Sequence, residues 1–510
     1  MSMNNILIVI VIVLYLAFMV VIGAVQSKKN KSSDDFYLGG RKLGPLVTAM
    51  SAEASDMSGW LLMGLPGVAL MTGLPEAVWT AVGLSVGTYI NWLVVSKRLR
   101  VYSEKIDAVT IPEFFAKRFG DNKHIISLIA ALIIIVFFVP YTASGFSACG
   151  KLFNSLFGWD YHLAMVISAA VIVVYCTLGG FLAASTTDLI QSIVMTFALI
   201  AVLLIGESTT GGFSNVFSNA SAMEGYLNVF KGFDVAGGTT GSYGVFPVIT
   251  TLAWGLGYFG MPHILLRFMA IDNPEKLKTS RRVATVWVVI SMGLAVIIGV
   301  VGYSLMKTGI VGPYENASAA ETIIVDISKF ISGKGWIPAI GAGIFLSGIL
   351  ASTMSTSDSQ LIAASSAVTQ DIIVNKFKAK ISEKKTMLVA RLSVVIISAV
   401  AVFFAWNQNS SVFKIVSFAW AGFGASFGPV MLFGLFWKRT NKYGAVSGMV
   451  AGGITVFLWK FVVSKLGGVF AIYELLPAFI VACIVIVAVS LATKAPEKEI
   501  TDVFDEINVK

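Results

Sequence analysis

Residues 48–64 of this chain are T-A-M-S-A-E-A-S-D-M-S-G-W-L-L-M-G. This stretch places Glu53 and Asp56 among serines and apolar neighbours inside a hydrophobic run. An ionisable side chain at membrane depth is costly and usually marks an ion or substrate pathway. Nearby serines and glycine loosen a helix and free backbone carbonyls and amides to bind a ligand. The pattern therefore predicts a broken membrane helix of the kind found in transporters.

The composition supports a membrane protein. Of the 510 residues, 56% are hydrophobic and 13% are charged, and the mean hydropathy is +0.82. Soluble domains carry about 25% charged residues, so the composition excludes a soluble globule and predicts an all-α polytopic protein. The cysteines lack C-x-x-C spacing and suggest neither disulfides nor a metal site. The net charge of +9 follows the loops and offers no continuous basic face, which excludes nucleic acid as a partner.

Apolar segments along the chain predict about thirteen transmembrane helices. The first has no basic segment before it and no cleavage site after it, so we expect a retained span. No soluble domain interrupts the series, and we expect one transport unit. The segments are residues 6–25, 44–70, 76–96, 124–151, 160–182, 187–206, 243–271, 282–307, 336–367, 387–406, 412–437, 441–463 and 470–492.

Positive charge alternates along the connections between these segments. Connections after odd-numbered segments, except the short one after the fifth, are rich in Lys and Arg. Because cytoplasmic loops are enriched in basic residues, we expect a multi-pass plasma-membrane protein with its N-terminus outside and its C-terminus cytoplasmic. The basic residues are Lys28, Lys29, Lys31, Arg41, Lys42, Lys97, Arg98, Arg100, Lys117, Arg118, Lys276, Lys278, Arg281, Arg282, Lys376, Lys378, Lys380, Lys384, Lys385, Lys438, Arg439 and Lys442.

The sequence contains no convincing site for ATP binding and hydrolysis. Residues 145–152, G-F-S-A-C-G-K-L, come close to a P-loop, but Leu152 replaces the magnesium-binding hydroxyl and the motif ends an apolar segment. An enzyme is also excluded, because there is no H-E-x-x-H motif and the three histidines are scattered. Uphill transport would therefore draw on an ion gradient.

A second candidate break lies in residues 251–263, T-L-A-W-G-L-G-Y-F-G-M-P-H. Trp254 and Tyr258 are four residues apart and share one helical face. Glycine and proline at membrane depth are tolerated where the backbone lines a cavity. A flexible, glycine-packed span with interfacial aromatics is the alternative interpretation.

Hydroxyls dominate residues 349–360, I-L-A-S-T-M-S-T-S-D-S-Q, inside an otherwise apolar helix. Hydroxyl oxygens and carbonyls from a broken helix form a set of hard, uncharged ligands that suits an alkali cation. Hydrogen bonding between helices by Ser and Thr is the alternative.

Several motifs together resemble the bacterial sodium/proline symporters of the sodium/solute symporter family, over about residues 35–494. The motifs are D-F-Y-L-G-G-R-K-L-G-P (35–45), S-A-E-A-S-D-M-S-G-W-L-L-M-G-L-P-G (51–67), W-G-L-G-Y-F-G-M-P-H-I-L-L-R-F-M-A (254–270), S-T-M-S-T-S-D-S-Q (352–360) and F-A-W-A-G-F-G-A-S-F-G-P (418–429).

This resemblance implies the inverted-repeat fold of the bacterial leucine transporter, with two units of five helices, although the sequence shows no clear internal repeat. The division it implies is an N-terminal helix and cytoplasmic loop (1–43), a first repeat unit (44–206), an extracellular loop (207–242), a second repeat unit (243–437), two C-terminal helices (438–493) and a cytoplasmic tail (494–510).

The resemblance also implies two adjacent binding sites. The sodium site consists of the carbonyls of Ala54, Met57 and Ser352 and the hydroxyls of Ser355 and Thr356. In the proline site, backbone amides would take the carboxylate and aromatic faces would enclose the ring. Without the resemblance, Tyr141 would be a packing aromatic. The proline-site residues are Ser58, Gly59, Tyr141, Trp254, Tyr258 and Pro262.

Four charged residues carry further expectations. Asp56 matches the family aspartate needed for sodium-coupled binding, and we expect it to stabilise the break or act electrostatically before coordinating sodium directly. Arg41 and Asp188 match positions of interest for cytoplasmic gating, with membrane anchors or ion-pair partners as the alternative. Glu53 departs from the family pattern, and three roles are open to it. It is protonated and takes no part in transport, it hydrogen-bonds a neighbouring helix, or it titrates and brings a proton or second cation into the transport cycle. Met261 also departs, since glutamine is common there.

The expected function is sodium-coupled uptake of L-proline by alternating access. Sodium is the expected coupling ion, and no other cofactor is expected. The protein would lie in the lipid bilayer without an obligate protein partner. Another small amino acid or carboxylate is the alternative substrate, with a proton entering through Glu53 as a further option. A channel without coupling would need repeated polar rings along a pore, and a sensor would normally carry a signalling domain.

Overall fold

The computed structural model describes residues 2–27, 33–235, 237–377 and 381–508 and is mostly helical. The predicted basic residues Lys28, Lys29, Lys31, Lys378 and Lys380 lie outside this part of the chain.

The described chain folds into α-helices, one β-hairpin and short 3₁₀ or π segments. The α-helices are α1 (Met3–Ser27), α2 (Ser33–Leu38), α3 (Pro45–Asp56), α4 (Leu65–Thr72), α5 (Leu74–Val94), α6 (Ser96–Lys105), α7 (Ile111–Arg118), α8 (Ile125–Phe157), α9 (Tyr161–Thr209), α10 (Phe213–Ser221), α11 (Val245–Leu252), α12 (Pro262–Ala270), α13 (Leu277–Lys307), α14 (Ala317–Ala320), α15 (Ile323–Ser332), α16 (Trp336–Ser366), α17 (Glu383–Phe404), α18 (Val412–Phe436), α19 (Lys442–Phe461), α20 (Leu475–Ala492) and α21 (Lys498–Asn508). Strands β1 (Lys231–Asp234) and β2 (Thr239–Ser242) pair antiparallel. The 3₁₀ segments are Gly39–Arg41, Ala253–Gly260, Pro274–Lys276, Val463–Leu466 and Gly468–Ala471, and the π segments are Trp60–Gly64 and Ala367–Lys376.

Helix lengths agree with the predicted spans. Within the described residues, ten helices are long and apolar enough to cross a membrane, and Val245–Gly260 with Pro262–Ala270 forms a further span bent by 48°. Two shorter apolar helices, Trp60–Thr72 and Tyr161–Thr177, fall in the two remaining predicted segments. The count of thirteen is consistent with this arrangement, since every predicted segment coincides with helix.

One glycine bends α9 near the end of the fifth predicted segment, residues 160–182. Gly180 interrupts α9 with φ 67° and ψ −177°, a conformation that side chains with a Cβ rarely adopt. The predicted short connection after the fifth segment is therefore a kink within α9.

Glycines bring α5 into backbone contact with the Ala253–Gly260 segment. A Cβ on Gly87 would lie 2.4 Å from the Cα of Gly255, and a Cβ on Gly83 would lie 2.6 Å from the carbonyl oxygen of Leu252. Small residues allow such close approach between membrane helices. This contact supports the second broken helix from behind.

At one end of the helices, which we call the hairpin end, the β-hairpin, α10 and α14 cover the bundle. The Tyr226 hydroxyl donates to the Ala69 carbonyl oxygen at 2.9 Å. The buried Lys151 ammonium lies 2.6 Å from the Glu321 carboxylate and joins α8 to the chain after α14. The predicted loop 207–242 thus carries a short helix and a hairpin.

At the opposite end, which we call the Arg41 end, the chain is held by side chains reaching carbonyls. The Arg41 guanidinium donates to the carbonyl oxygens of Met269 and Ala108, both at 2.7 Å, and to the Ser103 hydroxyl at 3.0 Å. It thereby joins the segment before α3 to α12 and to the connection between α6 and α7.

The last helix, α21, packs on the Arg41 end. The Phe504 ring lies 5.2 Å from the Arg98 guanidinium and 4.9 Å from that of Arg118. Lys438 pairs with Asp505 beside the turn between α18 and α19. The first predicted repeat unit and the start of the two C-terminal helices therefore meet at α21.

Candidate functional site

The first break lies where α3 ends, as the sequence predicts. The Met57 amide makes the last helical hydrogen bond, to the Glu53 carbonyl oxygen at 2.8 Å, and Met57 then leaves helical geometry with ψ 68°. The Ser58 amide donates to the Asp56 carbonyl oxygen at 2.8 Å, and helix resumes at Trp60. Met57 and Ser58 are unwound at the centre of a buried region.

Three of the five predicted sodium ligands are in direct contact. The Ser355 hydroxyl, on α16, donates to the Ala54 carbonyl oxygen at 2.8 Å and lies 3.1 Å from the Ser352 carbonyl oxygen. The other two predicted ligands, Met57 and Thr356, are buried beside them in the chain. The hydroxyl-rich helix and the first break therefore meet where the resemblance implies.

The oxygens at this junction fit a small alkali cation. Buried polar atoms are nearly always paired, yet the Thr356 hydroxyl is buried and has no hydrogen-bond partner among the described residues. Carbonyl and hydroxyl oxygens are the ligands that hard cations prefer. The donor set Ala54, Met57, Ser352, Ser355 and Thr356 can hold sodium without a bound carboxylate.

Asp56 connects the two broken helices. Its carboxylate accepts a hydrogen bond from the Tyr258 hydroxyl at 2.6 Å. Its carbonyl oxygen accepts from the Tyr141 hydroxyl and from the Trp60 indole, both at 3.1 Å. One residue therefore satisfies a freed carbonyl of the first break and holds the second break against it, which agrees with a role in stabilising the break.

Aromatic rings cover the site toward the hairpin end. The centroid of the Trp254 ring lies 6.1 Å from that of Trp60, 5.3 Å from Phe413 and 5.2 Å from Tyr473. Trp254 is only 5% exposed. These rings separate the two breaks from the hairpin end in this conformation.

Trp420 of α18 braces the second break from the other side. Its indole donates to the Trp254 carbonyl oxygen at 2.8 Å, and its ring packs edge-on against Tyr258 with centroids 5.0 Å apart. A Cβ on Gly257 would lie 1.9 Å from the Trp420 indole nitrogen. The glycine is required because the indole occupies the place of a side chain.

The remaining predicted proline-site residues are all buried near these breaks. The Ser58 hydroxyl accepts from the Trp60 amide at 3.4 Å. Gly59 faces α8, where an added Cβ would lie 2.9 Å from the Ala148 Cβ. Pro262 begins α12 directly after the extended residue Met261. Direct contacts join Tyr141 and Tyr258 to Asp56, whereas Gly59 and Pro262 are placed by their helices.

Of the three roles considered for Glu53, the structure shows the hydrogen bond to a neighbouring helix. Its carboxylate accepts a hydrogen bond from the Trp92 indole of α5 at 2.8 Å, while the other carboxylate oxygen is buried without a partner among the described residues. The Trp92 ring packs on Phe268 with centroids 4.4 Å apart. Glu53 thus links α3 to α5, and whether it also titrates stays a prediction.

Asp188 lies in a buried ion pair. Its carboxylate accepts from the Ser51 hydroxyl at 2.6 Å and from the Arg267 guanidinium at 3.3 Å. Arg267 also donates to Ser51 at 3.0 Å and to the Ser359 hydroxyl at 2.5 Å. This network joins helices α3, α9, α12 and α16. Asp188 therefore takes part in an ion pair, which was one of the alternative roles considered for it.

The structure does not bring Arg41 to this network. The guanidinium of Arg41 binds carbonyls at the Arg41 end, whereas the Asp188 carboxylate binds Ser51, five residues before α3 ends at Asp56. Arg267 was not among the predicted site residues, although it is the only Lys, Arg, Asp or Glu between residues 253 and 271. A lone ionisable residue at membrane depth is the same signal that singled out Asp56.

Comparison with known proteins identifies the family. The model of the Sodium:solute symporter family matches residues 36–452. The chain belongs to this family. It is 41% identical to the osmoregulated proline transporter OpuE of Bacillus subtilis, over 97% of this chain and 96% of the relative. It is 43% identical to the sodium/proline symporter of Haemophilus influenzae, over 96% of each. The chain is therefore a multi-pass membrane transporter and not an enzyme.

Solved structures confirm the predicted fold. A Na⁺-coupled sialic acid symporter, solved in a substrate-bound outward-open state, superposes with a TM-score of 0.79 at 19% identity over 96% of this chain and 98% of that one. Mhp1, a nucleobase-cation-symport-1 family transporter, gives a TM-score of 0.56 at 15% identity over 94% and 99%. The inverted-repeat fold of the leucine transporter is thus shared by this chain.

Replacing Arg267 by glutamine is expected to destabilise the protein, because it leaves the Asp188 carboxylate buried without its cation. Removing one partner of a buried ion pair costs about 3–5 kcal/mol. Thermal unfolding in detergent measures the loss. The control is Arg282→Gln, at an exposed position of α13. The double variant Arg267→Gln/Asp188→Asn should recover part of the loss, and purely additive losses would contradict a coupled pair.

Proposed function

We propose that this chain couples sodium entry to the uptake of L-proline across the plasma membrane by alternating access. The relatives named above include a sodium/proline symporter and a proline transporter. The observation that carries the proposal most directly is the hydrogen bond of 2.8 Å from the Ser355 hydroxyl to the Ala54 carbonyl oxygen. It joins α16 to the first break through atoms that suit sodium.

Sodium would bind at this junction through the five predicted ligands. The Ser355 hydroxyl would turn its lone pair toward the ion, and the unpaired Thr356 hydroxyl would gain a partner. Neutral oxygens hold the cation without the strong attraction of a carboxylate, so the ion can leave again. Binding would clamp α3 to α16.

Proline would bind beside the ion, between the two breaks. The Gly59 amide, where helix resumes, would donate to the carboxylate, and the Ser58 amide would join it by leaving its present acceptor, the Asp56 carbonyl oxygen. Tyr141, Trp254 and Tyr258 offer aromatic faces to the pyrrolidine ring, with Pro262 at the far side. Asp56 would keep the breaks in register through Tyr258, since that hydrogen bond already occupies one carboxylate oxygen.

The repeat units at residues 44–206 and 243–437 would move against each other around these sites. We place the Arg41 end in the cytoplasm and the hairpin end outside, because basic residues cluster at the Arg41 end. Arg41 would hold the cytoplasmic end closed through the carbonyls that it binds. Asp188 would act through its buried pairing with Arg267.

Coupling in this scheme is reciprocal. If sodium raises the affinity for proline by some factor, proline must raise the affinity for sodium by the same factor. The junction of α3 and α16 provides the link, because the same unwound segment supplies carbonyls to the ion and amides to the solute.

Reconstituted vesicles test the proposal. An inward sodium gradient should accumulate labelled proline above the outside concentration, whereas choline in place of sodium should not, because the gradient supplies the free energy. Competition by a panel of small amino acids and carboxylates measures whether proline is preferred. Equilibration without accumulation would indicate a passive path, and binding without flux would indicate a sensor; either outcome contradicts symport.

Ser355→Ala is expected to weaken sodium binding selectively. An interaction with a charged group contributes about 1.5–3 kcal/mol, so the sodium concentration for half-maximal uptake should rise roughly tenfold or more. Uptake at varied sodium measures the change. Ser347→Ala is the matched control, since Ser347 lies on the same helix and its hydroxyl donates to the Gly343 carbonyl oxygen. Normal sodium dependence of Ser355→Ala would count against the site.

Glu53→Gln separates the remaining roles of this carboxylate. The amide oxygen can still accept from the Trp92 indole but cannot titrate, so a coupling role predicts a flattened pH profile of sodium-driven uptake. Uptake measured over a pH series in sodium and in lithium shows the effect. An unchanged ion dependence and pH profile would remove Glu53 from coupling and leave it a structural hydrogen-bond acceptor.

A further inference from the structure

An apolar groove runs between α5 and α13 on the outside of the bundle. It encloses about 480 Å³, and Ser85 is the only polar side chain among its lining residues. Val82 and Val86 of α5 and Val289 of α13 line it while remaining 38%, 51% and 52% exposed. The groove therefore opens sideways, toward the hydrocarbon of a surrounding bilayer.

The groove has the length of one leaflet. Its lining on α5 runs from Leu74 to Val86, which is about 18 Å along a helix. The hydrocarbon of one leaflet is about 15 Å thick. The hairpin end closes the groove, where Phe217 of α10 and Leu227 lie across it.

A missing side chain forms part of the groove. Gly293 lies on α13, and a Cβ added there would meet no atom of the described residues within 4 Å. Glycines elsewhere in the bundle, such as Gly87 and Gly299, face atoms closer than 3 Å. Gly293 therefore serves no close approach of helices and leaves room for an occupant.

A polar pocket adjoins the closed end of the groove. Leu227 lines both cavities, and the second one, of about 540 Å³, is lined also by Ser221, Asn228 and Lys231. Lys231 is 47% exposed, and its ammonium lies 3.6 Å from the Glu224 carboxylate, which is 90% exposed. An exposed pair at this distance contributes little, so the ammonium can bind another anion.

We propose that a glycerophospholipid binds here, with one acyl chain in the groove and its phosphodiester at Lys231. An apolar channel of leaflet length continuous with a hydroxyl, an amide and an ammonium matches the two parts of such a lipid. A free anion would use only the polar pocket, and a hydrocarbon without a phosphate would use only the groove.

The lipid would contact α5 and α13 on the outside of the bundle, and these two helices support the two breaks. The Asn91 amide of α5 donates to the Tyr258 carbonyl oxygen at 3.1 Å. On α13, a Cβ on Gly299 would lie 2.5 Å from the Ala69 Cβ of α4. A lipid between α5 and α13 thus fills the space between the outer supports of the substrate region.

Native mass spectrometry of the detergent-purified chain tests the site with two probes, dioleoyl phosphatidylglycerol and dioleoylglycerol. The phospholipid should bind more tightly because only it carries the phosphate. Gly293→Trp should reduce its occupancy, since Gly293 lines the groove and an indole there would occupy part of its volume. Ile484→Trp, at a position of α20 that is 62% exposed, should leave occupancy unchanged. Equal occupancy in Gly293→Trp and the parent chain would overturn the proposal.

Lys231→Gln tests the headgroup contact in the same measurement. A charge-assisted contact predicts a loss of roughly tenfold in phosphatidylglycerol affinity, with dioleoylglycerol unaffected. Lys465→Gln, at another exposed lysine of the hairpin end, is the matched control. Equal binding of the two probes to the parent chain, or equal losses in the two lysine variants, would show that no phosphate site exists. Unfolding temperatures of all variants exclude general misfolding.

Discussion

A helix that breaks inside a membrane must find partners for the backbone groups that it frees, because an unpaired group in hydrocarbon costs several kcal/mol. The described structure meets this requirement with side chains from distant segments. Ser355 satisfies the Ala54 carbonyl, and Trp60 and Tyr141 satisfy that of Asp56. The same exposed backbone is what allows an ion and a solute to bind, so the stability and the function of the break have one physical origin.

The second break depends on the first. Tyr258 reaches the Asp56 carboxylate, while α5 presses glycines against the Ala253–Gly260 segment and Trp420 braces it from α18. The two breaks therefore form one hydrogen-bonded unit between helices of both predicted repeat units. A ligand that alters one break changes the contacts of the other, which is the physical requirement for coupled transport.

Sequence alone located the segments that lie in the membrane and the polar stretches at both breaks, because apolar length and buried polarity are local signals. Pairing across the fold carries no such signal. The Asp188–Arg267 ion pair and the Glu53–Trp92 hydrogen bond join residues 79 and 39 positions apart. The hairpin at Lys231–Ser242 was missed because its strands are four residues long and lack apolar alternation.

The backbone contact between α5 and the second break limits which residue types fit at positions 87 and 255. Gly87 and Gly255 lie so close together that a side chain at either position would push α5 and the Ala253–Gly260 segment apart. A side chain at either position is therefore accommodated only where α5 and the second break move apart along their seam.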